Sequence, residues 1–214
     1  MQPLNLQSIR LPNDSFEQSA RQRHYRAIAG VDEAGRGPIA GPVVAAACIL
    51  PDYLEIEGIN DSKQLTPAQR HRLFETMNHH SSISFGIGII DALRIDQINI
   101  LQATFEAMVQ AVNDLRQRHI VDYLLVDGSL LAPSFDLPAE AIISGDQYSL
   151  SIAAASIIAK ETRDRLMKQY HLQWPQYNFQ QHKGYPTQEH LAQVAIHGPS
   201  PIHRRSFSPF REIR

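Results

Sequence analysis

Apolar positions fall along the chain in short blocks whose spacing switches between strand and helix periods. Residues 27–33 and 43–50 are two apolar runs separated by a glycine-rich turn, and they read as strands. "TPAQRHRLFETMN" sets Thr66 as a helix N-cap and Pro67 at the first helical position. "SISFGIGII" then alternates like a strand. In "INILQATFEAMVQAVNDLRQR", Leu101, Phe105, Met108 and Val112 recur at helical spacing, which predicts a core-facing stripe. "DYLLVDG" is a short strand closing at Asp127, and "AEAIISGD" is another closing at Asp146. The long helix "SLSIAAASIIAKETRDRLMKQY" follows, with small residues at 153–156 that permit close approach to a neighbour. Beyond it one helix begins at Thr187, with Glu189 in its first turn, and the rest reads as loop. The pattern predicts an α/β core with a helical and irregular C-terminal part, without internal repeats.

Composition narrows the setting. At 214 residues and 43% hydrophobic content, the chain can bury one full core. The single cysteine, Cys48, lies in the apolar run "VVAAACIL", so no internal disulfide can form and a small buried hydrophobe is expected there. The polar N-terminus lacks a signal-peptide core, and no run reaches the roughly 18 apolar residues of a membrane span. A soluble cytoplasmic protein is expected. Net charge is −2, but residues 160–214 carry nine Lys and Arg against four Asp and Glu, leaving an acidic remainder. That basic end could form an electrostatic footprint for a polyanion or simply a solvated face.

Asp32, Asp127 and Asp146 each close an apolar run and precede chain-turning residues. One such Asp is ordinary turn chemistry; three could converge beyond the strand ends of one sheet. Clustered carboxylates repel and raise one another's pKa unless a cation joins them, and hard oxygen ligands suit Mg²⁺ or Mn²⁺. Two such ions would clamp an in-line phosphoryl displacement. Glu33 joins such a site only if its strand ends or distorts, because adjacent strand residues face opposite ways. Rival motifs fail. Gly35, Gly37 and Gly41 give a spacing one residue too long for a dinucleotide fingerprint, and neither a P-loop, a nucleophile elbow nor a zinc helix occurs.

The stretches "GVDEAGRGPIAGPVV", "DSKQL", "VDG", "GD", "SIAAASIIAKETRD", "HKGYPT" and "HRRSF" occur in the order found in bacterial type 2 ribonucleases H, and the sequence resembles ribonuclease HII over roughly residues 28–210. One departure is Glu161, where the family pattern leads one to expect an apolar residue such as valine; a change of helix surface is expected. The resemblance implies a ribonuclease H-like fold, a mixed five-stranded sheet flanked by helices. It divides the chain into an N-terminal extension (1–25), a catalytic core (26–174) and a C-terminal helical extension (175–214) that completes a nucleic-acid surface. It implies endonucleolytic cutting of RNA in RNA/DNA hybrids and 5′ to ribonucleotides in duplex DNA, with Mg²⁺ or Mn²⁺ held by Asp32, Glu33, Asp127 and Asp146.

For sugar recognition the resemblance implies backbone contacts from Gly35-Arg36-Gly37 to the 2′-hydroxyl and packing of Tyr185 on the adjoining sugar. Ser62 and Lys63, ahead of a helix N-terminus, are expected phosphate contacts, with Lys183, Arg204 and Arg205 as further candidates. Lys160 and Arg163 are expected to pair with acids on their own helix. A monomer is expected, and the terminal "FREIR" carries no trustworthy sliding-clamp signal. Two other classes stay open: a non-catalytic nucleic-acid-binding protein on this fold, and a metal-dependent phosphatase of small molecules.

Overall fold

The computed structural model describes residues 11–53 and 56–210; the first ten residues and most of the "FREIR" end lie outside the described residues. Five strands form one sheet: β1 (Ile28–Ala34), β2 (Val43–Ile49), β3 (Ser84–Ile90), β4 (Tyr123–Asp127) and β5 (Ala139–Ile142), in the order β3-β2-β1-β4-β5. β1 runs antiparallel to β2 and parallel to β4; β2 is antiparallel to β3 and β4 is parallel to β5. The sheet is therefore mixed, with β1 at its centre.

Alternation along β2 shows how the two faces are filled. Ala45 and Ala47 pack beneath α3 (Ala92–Arg116) with Met108, Val112 and Leu115, while Ala46 and Cys48 face α2 (Pro67–His79) and α4 (Leu150–Gln173). Ala153, Ala154 and Ala155 let α4 lie close on β1 and β2. Burial pushes the Cys48 thiol up, as a structural cysteine requires. α2 opens with a capping box in which Thr66 and Gln69 satisfy each other's backbone N–H. α3 starts nine residues ahead of Leu101, the first position of its apolar stripe, and kinks at Asn99 (φ 67°), whose side chain recaps the helix through the amides of Leu101 and Gln102.

Two elements differ from the sequence reading. A short α1 (Ser15–Gln22) packs Ala20 against Ile28, Tyr123 and Ile152, and its buried Glu17 accepts from Ser149 Oγ and from the Ser151 amide and hydroxyl at the start of α4. β5 ends at Ile142, not at Asp146; Ser144 turns the chain at φ 57°, and Asp146 sits in a 3₁₀ turn, Gly145–Gln147. The C-terminal part adds α5 (Phe179–His182) and α6 (Gln188–His197), the latter capped by Thr187 as its sequence requires. Among the described residues, no helix is long and apolar enough to cross a membrane.

Candidate active site

The parallel register sets Val31 opposite Val126, so Asp32 and Asp127 are neighbours one step beyond, at the carboxyl ends of β1 and β4. Both valines face α3. The pleat therefore turns both carboxylates to the other face of the sheet. The 3₁₀ turn delivers the third acid: the Gly145 amide donates to Asp127 Oδ1 at 2.7 Å, which draws Asp146 against the strand ends. One oxygen from each of Asp32, Asp127 and Asp146 lies within 4.8 Å of the others.

Glu33 stays in the ladder, paired opposite Ala45, and is not one of that three-carboxylate group. The distortion that would have turned it inward is absent; instead Arg36 holds its carboxylate at 3.3 Å.

The electrostatics record the cost of this assembly. Burial, then the charges of Glu33 and Asp127, hold Asp32 well above the usual carboxylate range. Glu33 is raised chiefly by burial and further by Asp127, against the opposing pull of Arg36. Asp146 is raised chiefly by burial, although the Lys63 ammonium hydrogen-bonds it at 2.9 Å. Burial alone would lower Lys63, but the hydrogen bond and charge of Asp146, with Asp32 and Asp61, raise it. An all-oxygen donor set of partly destabilised carboxylates, already drawing in an ammonium group, fits a hard divalent cation.

Beside the acids, residues 35–42 form a loop whose glycines differ in kind. Gly35 has φ 100°, and a Cβ there would lie 2.1 Å from Arg163 Nε and 2.8 Å from the Pro42 carbonyl, so the fold itself demands glycine. Gly37 is exposed, and a Cβ there would meet only the Tyr185 ring, at 3.5 Å. Nothing in the packing excludes a side chain at Gly37; what glycine keeps open is the notch beside Tyr185.

Several expected contacts are placed elsewhere. Ser62 is buried, its amide donating to Ser156 Oγ, and at the α2 N-terminus the capping box takes up the amides of Thr66 and Gln69. Lys183 Nζ donates to the Gln180 carbonyl, leaving the residue half-buried. Arg205 stays exposed, with its amide on Asp96. Arg204 is no surface cation: it is fully buried and donates to the carbonyls of Gly41, Arg36 and Gly35. Lys160 does pair with Asp164 at 2.7 Å, but Arg163 turns inward to the carbonyls of Pro42, Lys183 and Ala40. Glu161 is buried, not a surface change; it joins His71 and Arg165 and so ties α4 to α2. Sequence reasoning misses the loop-organising role of Arg163 and Arg204 because a basic residue bound only to carbonyls leaves no charge-pair signature.

A mixed five-stranded sheet with acids gathered at the ends of its adjacent central strands defines a protein of the ribonuclease H-like fold. The family model for ribonuclease HII matches residues 29–209, and the chain belongs to that family. A ribonuclease HII of Chlamydia trachomatis serovar L2 is 53% identical over 197 residues, covering 92% of this chain and 89% of that protein. The crystal structure of ribonuclease H2 from Pyrococcus horikoshii OT3 is similar with a TM-score of 0.70 and 30% identity, covering 87% of this chain and 96% of that one. Bst-RNase HIII, solved in complex with Mn²⁺, shares the fold at a TM-score of 0.65 and 18% identity, covering 91% of this chain and 71% of that one.

Proposed function

We propose that the chain is a metal-dependent endoribonuclease that cuts the RNA strand of RNA/DNA hybrids and the 5′ side of ribonucleotides embedded in duplex DNA, leaving 3′-hydroxyl and 5′-phosphate ends. The observation that carries this reading is adjacency: Gly35, Arg36 and Gly37 follow three to five residues after Asp32, and the Tyr185 ring closes the notch beside Gly37. On this reading, charge chemistry and a place to read a sugar lie only a few residues apart in the chain. A small-molecule phosphatase needs only the first of these.

Asp32, Asp127 and Asp146, with Glu33 beside them on β1, would hold Mg²⁺ or Mn²⁺. When bound, such ions supply the Lewis acidity that activates water and steadies the leaving 3′-oxygen. The chain's own groups do the rest. The Lys63 ammonium, 2.9 Å from Asp146, would offset that carboxylate's charge and offer a donor to a phosphate. The exposed amides of Arg36 and Gly37 have no protein acceptor among the described residues and are available to a 2′-oxygen. Tyr185, half-exposed, offers a ring face to the next sugar.

The test is cleavage of an end-labelled DNA duplex holding one ribonucleotide, beside an all-DNA duplex, with Mg²⁺, with Mn²⁺ and with chelator. A metal-dependent cut 5′ to the ribonucleotide, absent from all-DNA, is expected. Failure of folded protein to cut this duplex or a long hybrid with either ion contradicts the proposal and leaves binding as the function.

A further inference from the structure

The two walls of the notch are built from distant parts of the chain, yet both are tied to one dipeptide. Arg204 spends its whole guanidinium on the loop: Nε to Gly41 O at 2.9 Å, Nη1 to Arg36 O at 3.0 Å and Nη2 to Gly35 O at 2.6 Å. A trans peptide points its C=O and the following N–H in opposite directions. Drawing the carbonyls of Gly35 and Arg36 inward therefore aims the amides of Arg36 and Gly37 outward, where no protein acceptor meets them among the described residues.

The other wall hangs from His203. Its Nδ1 accepts from the Ser200 amide at 2.9 Å, which leaves the proton on Nε2. That proton is donated across 3.0 Å to His190 Nε2, and His190 Nδ1 in turn donates to the Tyr185 carbonyl at 2.8 Å. Each ring has one donor and one acceptor used, so the relay is complete with both histidines neutral. Burial, more than any neighbour, pushes His203 down to about 3; His190, lowered chiefly by burial, falls to about 4. His182 stacks on His190 at 4.2 Å, and its carbonyl receives the Tyr185 amide. Backbone stitches bind the pieces: Arg204 N to Ile39 O, Gly41 N to Ile202 O and Ile39 N to Gly184 O.

We propose that His203 and Arg204 are positioning residues for sugar discrimination, Arg204 aiming the outward amides of the 35–37 turn and His203 setting, through His190, the wall that carries Tyr185. The inference rests on the nuclease reading. Neither residue touches substrate. Their loss should therefore weaken recognition of the ribonucleotide while sparing the sequence-independent grip on duplex phosphates.

Arg204→Lys keeps the charge and forfeits the fork that spans three carbonyls. His203→Asn breaks the relay without adding bulk. Steady-state cleavage of the one-ribonucleotide duplex gives kcat and KM, and an all-DNA duplex used as competitor gives Ki. Val112→Ala, on the sheet-facing side of α3, serves as a control for general destabilisation. Arg204→Lys should lower kcat/KM about 30–100-fold and His203→Asn about 10-fold, as small misplacements of recognition groups do. In both, KM should rise toward Ki while Ki itself stays within about twofold, because phosphate contacts are untouched.

The proposal is overturned if the two variants match Val112→Ala, if KM and Ki rise together, or if both variants lose cooperative unfolding and so prove purely structural. Failure of the nuclease reading is separate, since it appears in the wild-type arm as no cleavage at all.

Discussion

Asp32 and Arg204 are both buried charges serving the same loop, and their surroundings are opposite. Arg204 finds a carbonyl for each edge of its guanidinium and a ring, Phe207, beneath its plane. Desolvation lowers its pKa to about 9, yet it remains charged near neutrality. Asp32 accepts only the Glu33 amide among the described residues and faces two further acids. A buried charge fully satisfied by its own fold is a device for placing backbone. A buried charge left against like charges marks a place where the fold gives up stability to receive a cation.

The largest effect that could break this contrast is on catalysis. Asp32→Asn should cut cleavage by at least about 10³-fold, as loss of an essential group does, while gel-shift affinity for a hybrid changes little. Equal loss of cleavage and binding would make Asp32 structural. Next in size is the glycine pair. Gly35→Ala must adopt φ 100° against Arg163, so its unfolding free energy should fall by about 1–3 kcal/mol in denaturant melts. Gly37→Ala should keep wild-type stability, within about 0.5 kcal/mol, while losing activity on single ribonucleotides. If Gly37→Ala is fully active, the notch is not where the sugar is read. Smallest is Glu161→Val, which removes a buried acid whose partners His71 and Arg165 can face water. Its melting point should stay within a few degrees, with kcat unchanged, consistent with about 1 kcal/mol or less.

Much of this is legible in the chain. The strand runs, the Thr66 and Thr187 caps and the stripe positions Met108 and Val112 are local signals, and local physics suffices for them, whereas Leu101 is only partly buried and neither it nor Phe105 joins the core beneath the helix. Asp32 and Asp127 can be placed because each closes an apolar run. Asp146 stands out as a residue but reads as part of the wrong element, since nothing in "AIISGD" announces the left-handed Ser144 that ends the strand early. The alternation rule that makes Glu33 doubtful holds in the structure, which leaves it in the ladder. The basic C-terminal end reads as a face; two of its arginines are instead interior struts, Arg165 is tied to Glu75 and Glu161, and Lys160 to Asp164. Which cations turn inward depends on carbonyls from residues 35–42, far away in sequence, and no periodicity reports that.

The most direct test of the central claim is the unfolding midpoint of Asp32→Asn against wild type, both in chelator, across pH. A carboxylate raised above its ordinary value holds its proton more tightly folded than unfolded, so as pH rises from that ordinary value the wild type loses stability through this group. The variant has no such loss. It should therefore melt several degrees above wild type at neutral pH, and the gap should close on acidification toward the ordinary carboxylate pKa. A variant that melts below wild type at neutral pH would contradict the account, because Asp32 would then be a charge the fold relies on and not one it holds for a cation.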